Sequence, residues 1–571
     1  MTPQEIAELA LAGPGEVIAI VDDTSTAHLR WAGNAVTGNG VVHSRTLTVI
    51  ALDPGGGIAI VSREGALGGH AVRAAVDEAR TTARRATPAP DAHPLLTGPF
   101  PDPGLSTEPP AGTSTRALHE ADRQWADPPA DTSARTWRAS GRQWPEPPAS
   151  TSSRTWRAAD QQYPEPLAGT SSRTRRAAGG QWPEPPAGRS AQASGTAERQ
   201  WAEEPADPSA WAMHMAERQW AEPPVGTSAR ALGGVVAQLA EVFGRARARG
   251  WSASGYAEHQ VRTTYLATTS GLRLRHAQPG GVLDLTGHNA DRSASAWVGA
   301  DLADPSGTDL LAGYADLAAR LDAARHRVDL DPGRYDVILA PSCVADLMTH
   351  LHLAADLDDA LQGGTVFSAP GGGTRLGERL TEAPLTLASD PAAPGLGCPP
   401  FSVVRVPGPG ASCFDNGTPL RRTEWISDGA LSALVTTGHS ARTAGLPCTP
   451  RIGNLVLSGP STANALDDLV AATDHALLVT SLWYLREVDP SRLLLTGVTR
   501  DGVQVVKGGE VVGTAHDFRF DESPLELLAR VAEVGRTEPA LPREWGDREF
   551  RTAMPALRVE DFTLTSVGKP G

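Results

Sequence analysis

The chain has 571 residues, 40% of them hydrophobic, and a formal net charge of −15. That length exceeds what one core can organise, so two or three domains are expected. An acidic chain without a basic stripe argues against nucleic acid as a main partner, and no run approaches the ~20 apolar residues of a membrane span.

The N-terminal run MTPQEIAELALAG lacks the basic and apolar regions of a secretory signal. Thr2, Pro3 and Glu5 form a capping box with proline at the first helical position, so a helix opens the chain. Short β-type runs are expected over residues 17–22, 28–32, 47–52 and 58–62, separated by turn sequences such as Gly33-Asn34 and Pro54-Gly55-Gly56-Gly57. An Ala/Arg-rich helix over 68–85 follows. This reads as an α+β unit, an antiparallel sheet with helices on it.

Residues 122–230 repeat a Trp-acid-Pro-Pro phrase every 19 residues, with the aromatic at Trp125, Trp144, Tyr163, Trp182, Trp201 and Trp220. A fixed period marks tandem duplication. Eight of the 14 tryptophans lie between residues 100 and 224, among many prolines and few aliphatics, so the segment has little to bury and is expected to be a mostly disordered insert. A tolerated loop expansion is favoured over a ligand for proline-binding modules. The final copy runs straight into a helical pattern that ends near Arg249, as though the repeat copied the segment joining sheet to helix.

Strand-like runs are expected at 256–267, 272–276, 281–285 and 293–299, then a helix over 309–326 and a strand over 335–340. Residues 343–362 read as one helix. Residues 503–506 and 510–514 read as a hairpin through Lys507-Gly508-Gly509, residues 523–534 as a helix, and the tail PALRVEDFTLTSVG as a closing strand. The expected division is an N-terminal α+β domain begun by residues 1–100, an insert at 101–219, a continuation of that domain at 220–330, and a β-rich C-terminal domain with embedded helices at 331–571.

The runs VIAIVDDTSTAHLRWAGNAVTGNGVVHSRTLTVIAL, TTYLATTSGLRLRHAQPGGVLDLTGHNADRSASAWVG, GGTVFSAPGGGTRLGERLT, TPRIGNLVLSGP and TRDGVQVVKGGEVVG occur in this order and cover most of the chain outside the repeat. In them the sequence resembles the TldD/PmbA family, historically labelled modulator of DNA gyrase. The resemblance implies a heterodimeric zinc protease in which the TldD-like subunit holds the metal and the TldE (PmbA) subunit does not. It also implies substrates such as leader peptides of modified peptide antibiotics and small unstructured proteins.

TldD subunits carry His-Glu-x-x-x-His on a helix and a cysteine near the C-terminus, because two imidazoles must hold zinc while a carboxylate takes a proton from its water. The corresponding segment here, CVADLMTHLHLAADLDDALQ, has His350 and His352 but no His-Glu pair. Residues i and i+2 on a helix stand about 200° apart, so these two histidines cannot clamp one ion and are expected at the boundary or surface. They are kept only as fallback ligands should zinc be found. The only His-Glu pair, His119-Glu120, lies in the repeat, and no cysteine follows Cys448. The expectation is a TldE/PmbA-type chain with no catalytic residue, metal ligand or cofactor of its own. Zinc is expected in a TldD-like partner, and extended or unfolded peptides as substrates.

Other motifs point to structure. Gly371-Gly372-Gly373 and Gly55-Gly56-Gly57 lack the Lys-Ser/Thr of a phosphate loop, and Ser440 and Ser458 lie outside a Gly-x-Ser-x-Gly elbow. Asp415, Glu424 and Asp428 around Trp425 read as a solvated acidic loop, and Asp356, Asp358 and Asp359 as a helix's polar end. The unpatterned cysteines Cys343, Cys398, Cys413 and Cys448 suggest reduced, mostly buried thiols and a cytoplasmic chain without membrane or nucleic-acid partners. Two alternatives remain: a non-proteolytic binding or scaffold protein that uses its Trp-Pro repeats, and an atypical metallopeptidase with scattered ligands.

Overall fold

The computed structural model describes residues 1–98, 208–460, 463–545 and 550–567. Helix α1 (Pro3–Leu11) starts with the expected capping box: Thr2 Oγ1 accepts from Glu5 N at 3.1 Å, and Glu5 accepts from Thr2 N at 2.8 Å. The short runs expected next are parts of long strands, β1 (Glu16–Ala32) and β2 (Ala35–Leu52), followed by β3 (Ile58–Glu64) and helix α2 (Gly69–Ala83). The polar stretch Asp22 to Thr26 stays extended because β1 has a ladder partner on each side, and those ladders outweigh local propensity.

The expected insert 101–219 lies mostly outside the described residues. Its C-terminal end is folded: helix α3 (Pro208–Arg218) buries Met213 and Ala216. After it come helix α4 (Gly233–Ala248), strands β4 (Ser252–Thr268), β5 (Arg273–His288) and β6 (Ser295–Asp301), and helix α5 (Leu310–Ala323). All six strands form one antiparallel sheet in the order β3-β2-β1-β4-β5-β6, so β1 and β4, from opposite sides of the repeat, are neighbours.

Alternation along β1 gives this sheet two different faces. Val17, Ala19 and Val21 point to a cluster with Ile6 and Val72, and Leu29 and Trp31 to one with Val235, Leu239 and Leu317. Ile18 and Ile20 point the other way, toward Leu266, Phe401 and Phe414. One face therefore carries helices, and the other faces residues of the C-terminal half.

The C-terminal half contains a 13-stranded mixed sheet. Its hub is the expected closing strand, Arg551–Val567, which pairs parallel with Asn454–Ser458 and antiparallel with Gly333–Leu339, Phe518–Glu522 and Val531–Pro539. The expected hairpin is present as Val503–Lys507 against Glu510–Ala515. Residues 523–534 are not one helix. A short helix, Pro524–Leu528, gives way to the strand Val531–Pro539, whose pairing with the hub strand overrides its helical pattern.

Residues 343–362 likewise split into α6 (Pro341–Leu353) and α7 (Leu357–Leu361). The break falls where Ala355 and Leu357 exchange main-chain hydrogen bonds with Val435, and Asp356 caps α7 by accepting from Asp359 N at 2.8 Å. Gly371, Gly372 and Gly373 all take positive φ, the left-handed turn that glycine permits. Among the described residues no helix is long and apolar enough to cross a membrane.

Candidate functional site

Helix α6 begins with Pro341 at its first turn and is buried on every side from Pro341 to His352. The strands Gly333–Leu339 and His475–Val479 flank its start, where Cys343 Sγ donates to Val479 O at 3.3 Å. The two histidines are therefore not at the boundary or surface, as their positions on the apolar stripe suggested. His350 is 5% exposed and His352 1%. Trp425, Trp545 and Phe550, all remote in sequence, close over the helix's polar edge.

Each histidine occupies its own aromatic niche. The His350 ring meets Trp545 edge-on, with centroids 4.1 Å apart, while His352 packs on Trp425 at 4.7 Å and Phe550 at 6.3 Å. Burial, aided by the charge of Arg486 for His350 and of Arg451 for His352, holds both well below the usual imidazole range. They are neutral rings packed as aromatics.

Asp346, one turn before His350, is fully buried and accepts from Arg543 N at 3.1 Å and Glu544 N at 2.9 Å. Burial, reinforced by the charge of Glu544, raises its carboxyl well above the ordinary range. Its task is to pin the segment carrying Trp545 onto α6.

These residues do not fit zinc. The rings of His350 and His352 face different partners, and Cys343 lies seven residues before His350, about 10 Å along the helix axis. Burial pushes the Cys343 thiol up, away from the thiolate a metal needs. Among the described residues, no three His, Cys, Asp or Glu side chains gather as a metal site. Cys398 and Cys413 are also buried and free, and Cys448 is free and exposed. The pair His119-Glu120 lies outside the described residues.

The expected acidic loop is only partly solvated. Asp415 is 4% exposed, accepts from Gly438 N at 2.9 Å and holds His93 Nε2 at 3.1 Å, while Trp425 is buried and donates to Ser389 Oγ at 2.9 Å. Asp428 is exposed.

Beside α6 a cavity of about 320 Å³ opens between the second face of the six-stranded sheet and the C-terminal half, lined by Arg262, Thr264, Phe401, Arg405, Arg451 and Phe550 among others. Arg405 grips Asp22 with two hydrogen bonds of 2.6 Å, and Thr264 Oγ1 adds a third at 2.6 Å. Burial opposes ionisation of Asp22, but the Arg405 charge and hydrogen bonds outweigh it and hold the carboxyl below its usual value. Arg451 donates to His352 O at 3.3 Å, and burial pulls its guanidinium down to about 10. The cavity is thus a cationic, partly apolar recess whose inner wall, Phe550, also covers His352. It offers charge and hydrogen-bond donors to a ligand, and Ser402, Ser412 and Asp415 also line it.

None of these cavity residues carries a recognisable motif in the sequence. Arg451 stood inside the quoted run TPRIGNLVLSGP, and Asp22 ended the apolar run VIAIVDD. A carboxylate in mid-strand was the available signal.

Residues 332–566 match the family model described as the PmbA/TldA metallopeptidase C-terminal domain. This match places the domain at residues 332–566 in the TldD/PmbA family. Among solved structures, TldE from Thermococcus kodakarensis superposes with a TM-score of 0.62 at 14% identity, covering 98% of each chain. A proposed modulator of a DNA gyrase from Thermotoga maritima gives 0.58 at 12% identity, again over 98% of each. One from Bacteroides thetaiotaomicron gives 0.58 at 11%, over 99% of this chain and 98% of the other. At such identities these likenesses establish a shared fold. No curated protein matches the sequence.

Proposed function

We infer that this chain is the TldE/PmbA-type subunit of a two-subunit zinc metalloprotease that acts on unfolded or leader peptides in the cytoplasm, and that it supplies no zinc ligand itself. The observation that carries this is α6. Where the TldD-like pattern needs two histidines and a glutamate converging on one metal, this helix buries His350 and His352 in separate aromatic niches. Zinc in the partner would activate water for peptide hydrolysis. This chain's contribution would be a scaffold: sheet edges that pair with extended peptide main chain, and the arginine-lined cavity that takes acidic or carbonyl groups. An atypical metallopeptidase finds no ligand set among the described residues.

The test is elemental analysis of the chain purified alone, then of its complex with a co-expressed TldD-like subunit. Substoichiometric zinc alone and about one zinc per heterodimer are expected. His350→Ala and His352→Ala are expected to leave proteolysis by the folded complex largely intact. One tightly held zinc per isolated chain would overturn the reading.

A further inference from the structure

The last copy of the repeat is a docked peptide. Met213 and Ala216 of α3 bury against the face of the six-stranded sheet that carries Ile18 and Leu266, after which the chain crosses to the helical face. There Trp220 meets Tyr265 edge-on at 5.6 Å, under the Arg273 guanidinium at 5.9 Å. Gln4 Nε2 donates to Trp220 O at 3.0 Å and to Glu222 O at 2.9 Å, and Tyr265 Oη donates to Glu222 O at 2.7 Å. Arg275 pairs with the Glu222 carboxylate at 3.2 Å and donates to Pro223 O at 2.8 Å. Val225 N donates to Thr263 Oγ1 at 2.9 Å, Thr227 N to Ser25 Oγ at 3.1 Å, and Thr227 Oγ1 lies 2.6 Å from His259 Nδ1.

Most of these anchors hold main-chain atoms, which every copy presents except the Trp201 copy, where Pro208 has no N–H in the Thr227 position. The side chains that are used recur upstream. Residues 117–135, ALHEADRQWADPPADTSAR, align without gaps on residues 212–230, AMHMAERQWAEPPVGTSAR. Trp125, Pro128, Pro129 and Thr132 match Trp220, Pro223, Pro224 and Thr227. Leu118 stands for the buried Met213, Ala121 for Ala216, and Asp127 for Glu222.

Asp122 replaces Glu217, keeping the carboxylate, and the remaining three differences fall where the site tolerates them. Glu120 replaces Met215, which is only partly buried. Ala130 replaces Val225, which is 45% exposed. Asp131 replaces Gly226, where an added Cβ would stand 3.6 Å from Ser25 Oγ, an ordinary contact. The copy at Trp144 fits less well, with Trp137 in the Met213 position and Pro145 in that of Ala221.

We propose that the groove formed by Gln4, Ser25, His259, Thr263, Tyr265 and Arg275 is a receptor for the Trp-x-acid-Pro-Pro-x-x-Thr motif, and that residues 117–135 of the same chain exchange with residues 212–230 as its occupant. The exchange shifts the docked register by five repeats, 220 minus 125 residues, and loop closure changes only with the logarithm of that length. This site is independent of the proteolytic reading.

The test places a photo-crosslinking amino acid at Ala126 of the full-length chain and maps its attachment by mass spectrometry, with the same group at Ala221 marking the groove. Attachment of residue 126 within residues 1–5 or at Arg45, which line the groove beside Trp220, is expected in a minor fraction. Trp220→Ala should raise that fraction about tenfold, equivalent to about 1.4 kcal/mol taken from the competitor. Should Trp220→Ala misfold, the combination Asp127→Glu, Ala130→Val and Asp131→Gly, which leaves the resident copy untouched, should also raise it. Attachment that is scattered, that ignores all these substitutions, or that joins two molecules would overturn the proposal.

Discussion

Helix α6 and the segment 212–230 are held by opposite means. In α6 the whole run from Pro341 to His352 is buried, and aromatic rings from remote segments close over it. The segment 212–230 lies largely exposed after its two buried anchors, and is held by hydrogen bonds to its main chain. A close-packed element depends on the shape of each side chain. A surface-laid segment depends on a few anchors and on backbone groups shared by most sequences. The first cannot be replaced from elsewhere in the chain, whereas the second has a near duplicate 95 residues upstream, from Trp220 back to Trp125.

The sharpest contrast is between two tryptophans. Trp545 is fully buried against His350, and Trp545→Ala is expected to cost about 3–5 kcal/mol, read as a shift of the urea midpoint at constant slope. A loss below about 1 kcal/mol would show that α6 is not the packed element described. Trp220→Ala is expected to cost only about 1 kcal/mol, since the indole is partly exposed and its main interactions are ring contacts. A loss in the full chain as large as that of Trp545→Ala would erase the contrast.

Acid should act on α6 between those limits. The imidazoles of His350 and His352 are held below their ordinary value of 6.5, so below that pH the unfolded chain takes up protons that the folded one refuses. Stability is then lost as pH falls through about 6.5, by up to about 1.4 kcal/mol per pH unit for each histidine. His352→Leu should flatten that acid limb while leaving stability at pH 8 nearly unchanged. Thermal melts from pH 5 to 8 would measure it, and an unaltered limb would count against the burial argument.

The smallest expected effect has the reverse sign. The hydrogen bond to Asp415 raises the His93 imidazole against the opposing effect of burial. Its contribution is complete below about pH 6.5 and is lost as pH rises through the higher folded value. His93→Gln should therefore destabilise the chain by a few tenths of a kcal/mol at pH 6 and by less at pH 9, and an equal loss at both would refute the pairing.

Much of the fold was legible because its signals are local. The capping box at Thr2 and Glu5, the Lys507-Gly508-Gly509 hairpin and the closing strand are where the residues put them. The halves of β1 looked like separate strands, since the polar residues between them are held extended only by β2 and β4. The helical pattern over 523–534 yielded to pairing with the last strand. At the site, the absence of a His-Glu pair was readable, but the niches of His350 and His352 were not, because Trp425, Trp545 and Phe550 come from far along the chain.

The sequence by itself determined many of the element types, the family resemblance, the lack of a His-Glu pair within residues 343–362 and the existence of near-identical repeat copies, all of which are properties of neighbours along the chain. Only the tertiary structure decided which face of α6 is covered, how Arg405 and Asp22 meet across 383 residues, and that the Trp220 copy lies in a groove built by Gln4, Tyr265 and Arg275. Those outcomes depend on burial and on pairing between remote segments. Free energies of that kind are set by which surfaces meet, and no local window of sequence contains both surfaces.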